Sequence, residues 1–168
     1  MIEEKLKEYT KSGQEIFNQT RKIGENDSRL CKLIRQDSIE EFVSYVNKEN
    51  ISFSSRIKLS IFETNSLLIK RNPTLIEYAA FFGSIQIFQY LKVNNVELKP
   101  SLWIYAIHSN NPEMIQILET NNVKPQGENY KKCLKESIKC HHNEITQYIL
   151  CNFIDGDEMK IESEKSFD

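Results

Sequence analysis

"PTLIEYAA" (Pro73–Ala80) opens like a helix and then shrinks to two alanines where a core helix would place leucine. The chain nearly repeats itself 27 residues later as "PSLWIYAI" (Pro100–Ile107). Laying Pro73–Val96 over Pro100–Val123 gives nine identities: Pro73/Pro100, Leu75/Leu102, Tyr78/Tyr105, Ala79/Ala106, Gln89/Gln116, Leu91/Leu118 and the triplet Asn94-Asn95-Val96/Asn121-Asn122-Val123. A fixed period of this size marks stacked supersecondary units. Fainter copies flank the pair, "LIRQDSIEEFVSYV" (Leu33–Val46) upstream and "SIKCHHNEITQYIL" (Ser137–Leu150) downstream.

Each unit reads as two short helices joined by a tight turn. Thr74 with Glu77, and Ser38 with Glu41, fit capping boxes. Asn111-Pro112-Glu113 supplies an N-cap, a proline at the first helical position and an acid at the positive end of the dipole. Gly83 and Asn110 fall between the helices, where a left-handed residue ends the first one, and Asn95 and Asn122 fall at the end of the second. The second helices carry one apolar stripe each: Ile87, Phe88 and Leu91; Met114, Ile115 and Leu118; Ile145, Thr146 and Ile149. Stacking such hairpins brings the first helices into close backbone approach, which predicts small side chains there. Ala79, Ala80 and Ala106 answer to that demand.

These residues resemble ankyrin repeats, whose pattern runs T-P-L-H-x-A, A-A-x-x-G, an apolar second helix and G-A-D. "TLIEYAAFFGSIQIFQYLKVNNVE" (Thr74–Glu97) keeps the threonine, both alanines, the glycine and the stripe. It departs at Leu75, at Glu77 and at Asn95-Val96. The period is shorter than the usual 33 residues, with the shortfall after the second helix, where the family's projecting finger lies. The fold expected is all-α: an ankyrin-like helical-hairpin solenoid of about four repeats with an N-terminal capping helix. Residues 27–154 form the repeat domain, with units near 27–50, 73–99, 100–126 and 128–154 and an insertion at 51–72 read as a short helix plus packed loop. Residues 1–26 are an amphipathic helix. Ile2, Leu6, Tyr9, Gly13, Ile16, Thr20 and Ile23 give it a heptad-like spacing that serves either a cap on the open end of the stack or a dimer seam. Residues 155–168 carry six acids against two lysines and read as an acidic, disordered tail.

Composition narrows the function. Five glycines and four prolines in 168 residues leave too few turns for a β-sandwich or barrel. A net charge of −2 with no Lys/Arg run gives no footprint for nucleic acid. No apolar run reaches the ~18 residues of a membrane span, and "MIEEKLKEYT" lacks the apolar core of a secretory signal. A cytoplasmic location is expected, with the nucleus as the other address. The sequence has no glycine-rich phosphate loop, no G-x-S-x-G and no H-E-x-x-H, so a non-enzyme without cofactors is expected. "CLKESIKCHH" (Cys133–His142) is the one stretch with metal-ligand residue types. On one helix Cys133 and Cys140 would stand roughly 10 Å apart along the axis, beyond a single zinc or a disulfide. His141 and His142 align with the turn residues Asn110 and Asn111, which predicts capping or solvent, and no metal.

The resemblance implies that the two residues before each interhelix turn face the concave, partner-facing side. They are Arg35 and Gln36, Phe81 and Phe82, His108 and Ser109, and Lys139 and Cys140. Phe81 and Phe82 read either as hot-spot aromatics or as packing between repeats; Trp103, in place of Ile76, reads as core. The function expected is non-catalytic protein–protein interaction with a protein partner through Arg35, Gln36, Phe81, Phe82, His108, Ser109 and Lys139. The alternatives are a homodimer through residues 2–23 and a thiol- or metal-responsive regulator using Cys133–His142.

Overall fold

Left-handed backbone punctuates the chain at regular places. Asp37, Gly83, Asn110 and His141 have φ between 50° and 69°, and Asn50, Asn95 and Asn122 between 50° and 62°. The first set ends the first helix of each hairpin; the second set follows the second helix. Asparagine and glycine reach this region at low cost, and at most of these turns the next amide bonds back five residues, as Ser84 to Ala79, Val96 to Leu91 and Val123 to Leu118. The sequence-level assignment at Gly83, Asn95, Asn110 and Asn122 agrees with these angles.

The computed structural model describes residues 2–154, with side chains from residue 13 onward apart from Glu128. It is all-helical among these residues: α1 (Ile2–Ile23), α2 (Arg29–Arg35), α3 (Ile39–Lys48), α4 (Ser66–Arg71), α5 (Leu75–Phe82), α6 (Ile85–Val93), α7 (Leu102–Ser109), α8 (Pro112–Thr120), α9 (Tyr130–Lys139) and α10 (Asn143–Phe153). A short 3₁₀ turn at Gln126–Glu128 precedes α9. The one strand-like pairing among the described residues is an isolated antiparallel bridge, Arg56 to Thr74. The expected insertion is thus the irregular run up to Asn65 followed by α4, with Ile57 and Leu68 buried.

Helices pair as α2/α3, α5/α6, α7/α8 and α9/α10, and the first helices also lie against one another in chain order, α2 on α5, α5 on α7 and α7 on α9. Ala79, Ala80 and Ala106 are fully buried. Ser137 is the equivalent of Ala79 and Ala106 in α9 and is equally buried. A small residue therefore occurs wherever a first helix packs on its predecessor; α2, which has none, carries Leu33 at that position. Trp103 is fully buried, its indole N–H donating to the Val123 carbonyl at 2.6 Å.

Hydrogen bonds lock one hairpin to the next. The Thr74–Glu77 capping box forms, and Glu77 also accepts from the Ser101 hydroxyl at 2.6 Å, joining the starts of α5 and α7. Asn111 caps α8 with Pro112 in its first turn, as expected. The Ser38–Glu41 box does not form: Ser38 makes no side-chain cap. The preceding Asp37 instead turns its carboxylate to the Gln86 and Ile87 amides, each at 2.9 Å, so an acid of the first hairpin caps α6 of the second. Ser84 in turn donates to the Ile34 carbonyl.

Helix α1 forms, but Gly13–Gln19 are exposed, with Ile16 61% and Phe17 44% accessible. Its ring contact with the body is Phe17 on Phe62 at 5.3 Å. Over its described side chains it does not bury against the stack as a cap would. The tail expected at 155–168 lies outside the described residues.

Ala79→Leu and Ala106→Leu should each lower stability by about 1–3 kcal/mol through overpacking between first helices. Urea melts check this. Leucine is nearly as good a helix former as alanine, so unchanged midpoints would show that these positions tolerate bulk.

Candidate partner-binding face

Four helix ends present equivalent positions, because the left-handed residues Asp37, Gly83, Asn110 and His141 close the four first helices in the same way. The two residues before each turn are those singled out above. The structure joins most of them side by side.

Arg35 begins the row. Its Nε lies 2.9 Å from Glu25 Oε2, and its Nη1 donates to the Asn26 carbonyl and the Tyr78 hydroxyl, both at 2.9 Å. The guanidinium carbon is 5.7 Å from the Phe82 ring centre. Phe82 meets Phe81 edge-on at 4.9 Å, and Phe81 stacks on the His108 imidazole at 5.1 Å with 22° between planes. His108 Nε2 lies 3.0 Å from Glu136 Oε1, and the other carboxylate oxygen accepts from Lys139 at 3.3 Å. A continuous ladder therefore crosses all four hairpins, from Glu25 to Lys139.

Phe81 and Phe82 are both half-buried, packed against the core while keeping one side in solvent. The two sequence readings, contact residue and packing residue, each describe part of both rings. Gln36 is exposed beside the row. Ser109 turns inward: its hydroxyl donates to the Ala106 carbonyl at 2.6 Å and accepts from the Asn111 amide, so it serves the turn. Of the two outcomes expected for the histidine pair, capping or solvent, His141 takes solvent, and His142 stands at the start of α10 without a side-chain cap.

Sequence spacing within one helix missed the cluster at the end of the ladder. His108, Glu136 and Cys140 hold one potential ligand atom each within 4.8 Å of the others. The missing partner was His108, brought from α7 by the packing of α7 on α9. Cys140 Sγ is 3.6 Å from Nδ1 and 3.8 Å from Nε2. Near-equal distances place the sulfur against the ring, off the Nε2 axis along which a metal shared with Glu136 would bind at about 2.0–2.1 Å. Burial, followed by the negative Glu136, raises the Cys140 pKa and so favours the neutral thiol. Cys133 does not join the cluster; burial alone pushes its thiol up to about 12. The arrangement is a hydrogen-bonded network that orients His108 under Phe81.

A larger cleft of about 490 Å³ opens between α8 and α10, in the layer of second helices, where Tyr148 donates to Glu119 at 2.9 Å. Glu119, Glu144 and Tyr148 line it together with Pro112, Ile115 and Ile145. No helix among the described residues is long and apolar enough to cross a membrane. No protein-family model matches the chain, and neither a curated protein nor a solved structure is significantly similar to it.

Burial opposes ionisation of Glu136, but hydrogen bonds from His108 and Lys139 outweigh it and hold its pKa below the ordinary 4.5. An acid depressed in the fold stabilises above its unfolded pKa, and that contribution is lost as pH falls through the folded value. Glu136→Gln should therefore melt lower than the parent at pH 7, with a smaller difference at about pH 3. Thermal melts at both pH values check this; an equal difference at both would detach Glu136 from the network.

Proposed function

We propose that this chain is a non-catalytic protein-binding module of ankyrin-like type, engaging a protein partner along the row of first-helix ends. The observation that carries the reading is the ladder itself. Arg35, Phe82, Phe81, His108 and Lys139 come from three hairpins plus the first, yet form one contiguous strip with two half-exposed aromatics at its centre. Aromatics and arginine in such a setting are the residues that dominate binding energy. Holding Phe81 on His108 and Phe82 under Arg35 fixes their rotamers before a partner arrives, which lowers the ordering cost of association. Support for the ankyrin-like type comes from the Thr74–Glu77 box, the left-handed turn between paired helices and the chain-order packing of the first helices. The short connections after α6 and after the second helix of the next unit carry no strand pair, in keeping with a clipped finger.

Affinity capture from cytosol supplies the partner, and Phe81→Ala then tests the face. The variant should melt within a few degrees of the parent, since the ring is only half-buried, while affinity falls by about thirtyfold or more, the ~2 kcal/mol typical of a hot spot. A well-folded variant that binds with undiminished affinity would remove the interface from this row.

Self-association is a second reading favoured by one observation, the exposure of Ile16, Phe17 and Ile23 on α1. Sedimentation of the full chain against a chain beginning at Asp27 decides it. A dimer that becomes a monomer supports the seam; two monomers refute it.

A further inference from the structure

Beside the last rung of the ladder, α4, α7 and α9 enclose a groove of about 300 Å³. Leu67, Ile104 and Pro125 give it an apolar lining, while Arg71, Lys132, Lys135 and Lys139 stand exposed around it. Glu136 is the acid among its described lining residues, and it is committed to His108 and Lys139. Arg71, Lys132 and Lys135 have no carboxylate partner among the described residues. Three uncompensated cations around one groove are a concentration of positive charge in a chain whose net charge is −2.

The sequence that follows α10 complements this groove. Residues 155–168, "DGDEMKIESEKSFD", combine six acids with the apolar Met159, Ile161 and Phe167. Phe153, two residues before the segment, touches a residue that lines the groove. The Phe153 ring lies parallel to Tyr130 at 4.3 Å and edge-on to Trp103 at 5.8 Å. Trp103 itself lines the groove, as does Asn129, the neighbour of Tyr130. Fourteen extended residues span up to roughly 46 Å, so reach is not limiting. We propose that residues 155–168 bind this basic groove in cis, covering the Glu136–Lys139 end of the ladder.

Tethering makes such binding feasible with exposed charges. A short linker supplies an effective concentration of about a millimolar, so an affinity too weak to matter between molecules suffices within one. Attraction of this kind is screened within about 10 Å at 0.1 M salt, so it weakens as salt rises. The apolar lining and the small number of cations favour a short acidic peptide over nucleic acid, whose affinity rests on many phosphate contacts. The inference stands apart from the partner-binding reading, since nothing in its test requires the partner.

The test uses a fluorescein-labelled peptide of residues 155–168, with polarisation read at low ionic strength. A chain ending at Ile154 should bind the peptide, and the full chain should bind it at least about tenfold more weakly because its own segment fills the groove. Combining Lys132→Glu with Lys135→Glu in the shorter chain should abolish peptide binding, with circular dichroism and melting unchanged. Lys22→Glu with Lys48→Glu, outside the groove, should leave it intact. Equal binding by the full and shorter chains, no binding by the shorter chain, or binding insensitive to the groove reversals would each overturn the proposal. So would a single-stranded oligonucleotide of equal length that displaces the peptide at lower concentration, which would make the groove a phosphate site.

Discussion

Backbone-to-backbone approach of successive first helices is the constraint on which the rest of this structure depends. It is why Ala79, Ala106 and Ser137 are small and wholly buried, while the stripes of the second helices carry larger buried side chains such as Phe88, Leu91 and Leu118. The same approach sets the spacing of the helix ends. Ring and guanidinium contacts of 4.9–5.7 Å from Arg35 to His108 follow from it, because equivalent residues on neighbouring helices then fall within side-chain reach. The surface row is a consequence of the core.

Hydrogen bonding reinforces this packing in one direction. Asp37 caps α6, Ser84 bonds back to Ile34, and Glu77 ties Thr74 to Ser101. Each bond satisfies a helix end or a buried polar group that would otherwise be desolvated without a partner. Because these partners lie in adjacent hairpins, separating the first two hairpins would uncap α6 and leave Ser84 without its partner at Ile34. Nearest-neighbour dependence of this kind is what makes stacked arrays cooperative.

The helices, the turn residues and the role of the alanines were legible because they depend on local rules: capping chemistry, left-handed tolerance and apolar spacing. Thr74, Gly83, Asn110 and Asn111 each do what their position dictates. What sequence could not give was pairing across units. Ser38 and Glu41 had the spacing of a capping box for α3 that does not form, while the neighbouring Asp37 caps α6 of the next hairpin, a charge-assisted contact that spacing within one unit does not reveal. The His108–Glu136–Cys140 network was likewise hidden, its members being 28 and 32 residues apart along the chain. Aligning the repeats set His108 level with Lys139 and Ser109 level with Cys140, but adjacency needed the packing of α7 on α9. At α1 the apolar spacing was visible, and the described side chains show it exposed, which spacing alone cannot reveal.

Trp103 is the sole tryptophan of the chain, and its surroundings make it an optical gauge. It is sealed from water between the third and fourth hairpins, with Tyr130 and Phe153 edge-on to it and Val123 holding its N–H. A terminal hairpin is where a stacked array frays first. Detachment of α9 and α10 would wet the indole and redden its emission while the ellipticity of the remaining hairpins persisted. The chain thus carries, without any label, a probe that distinguishes loss of one end from loss of the whole.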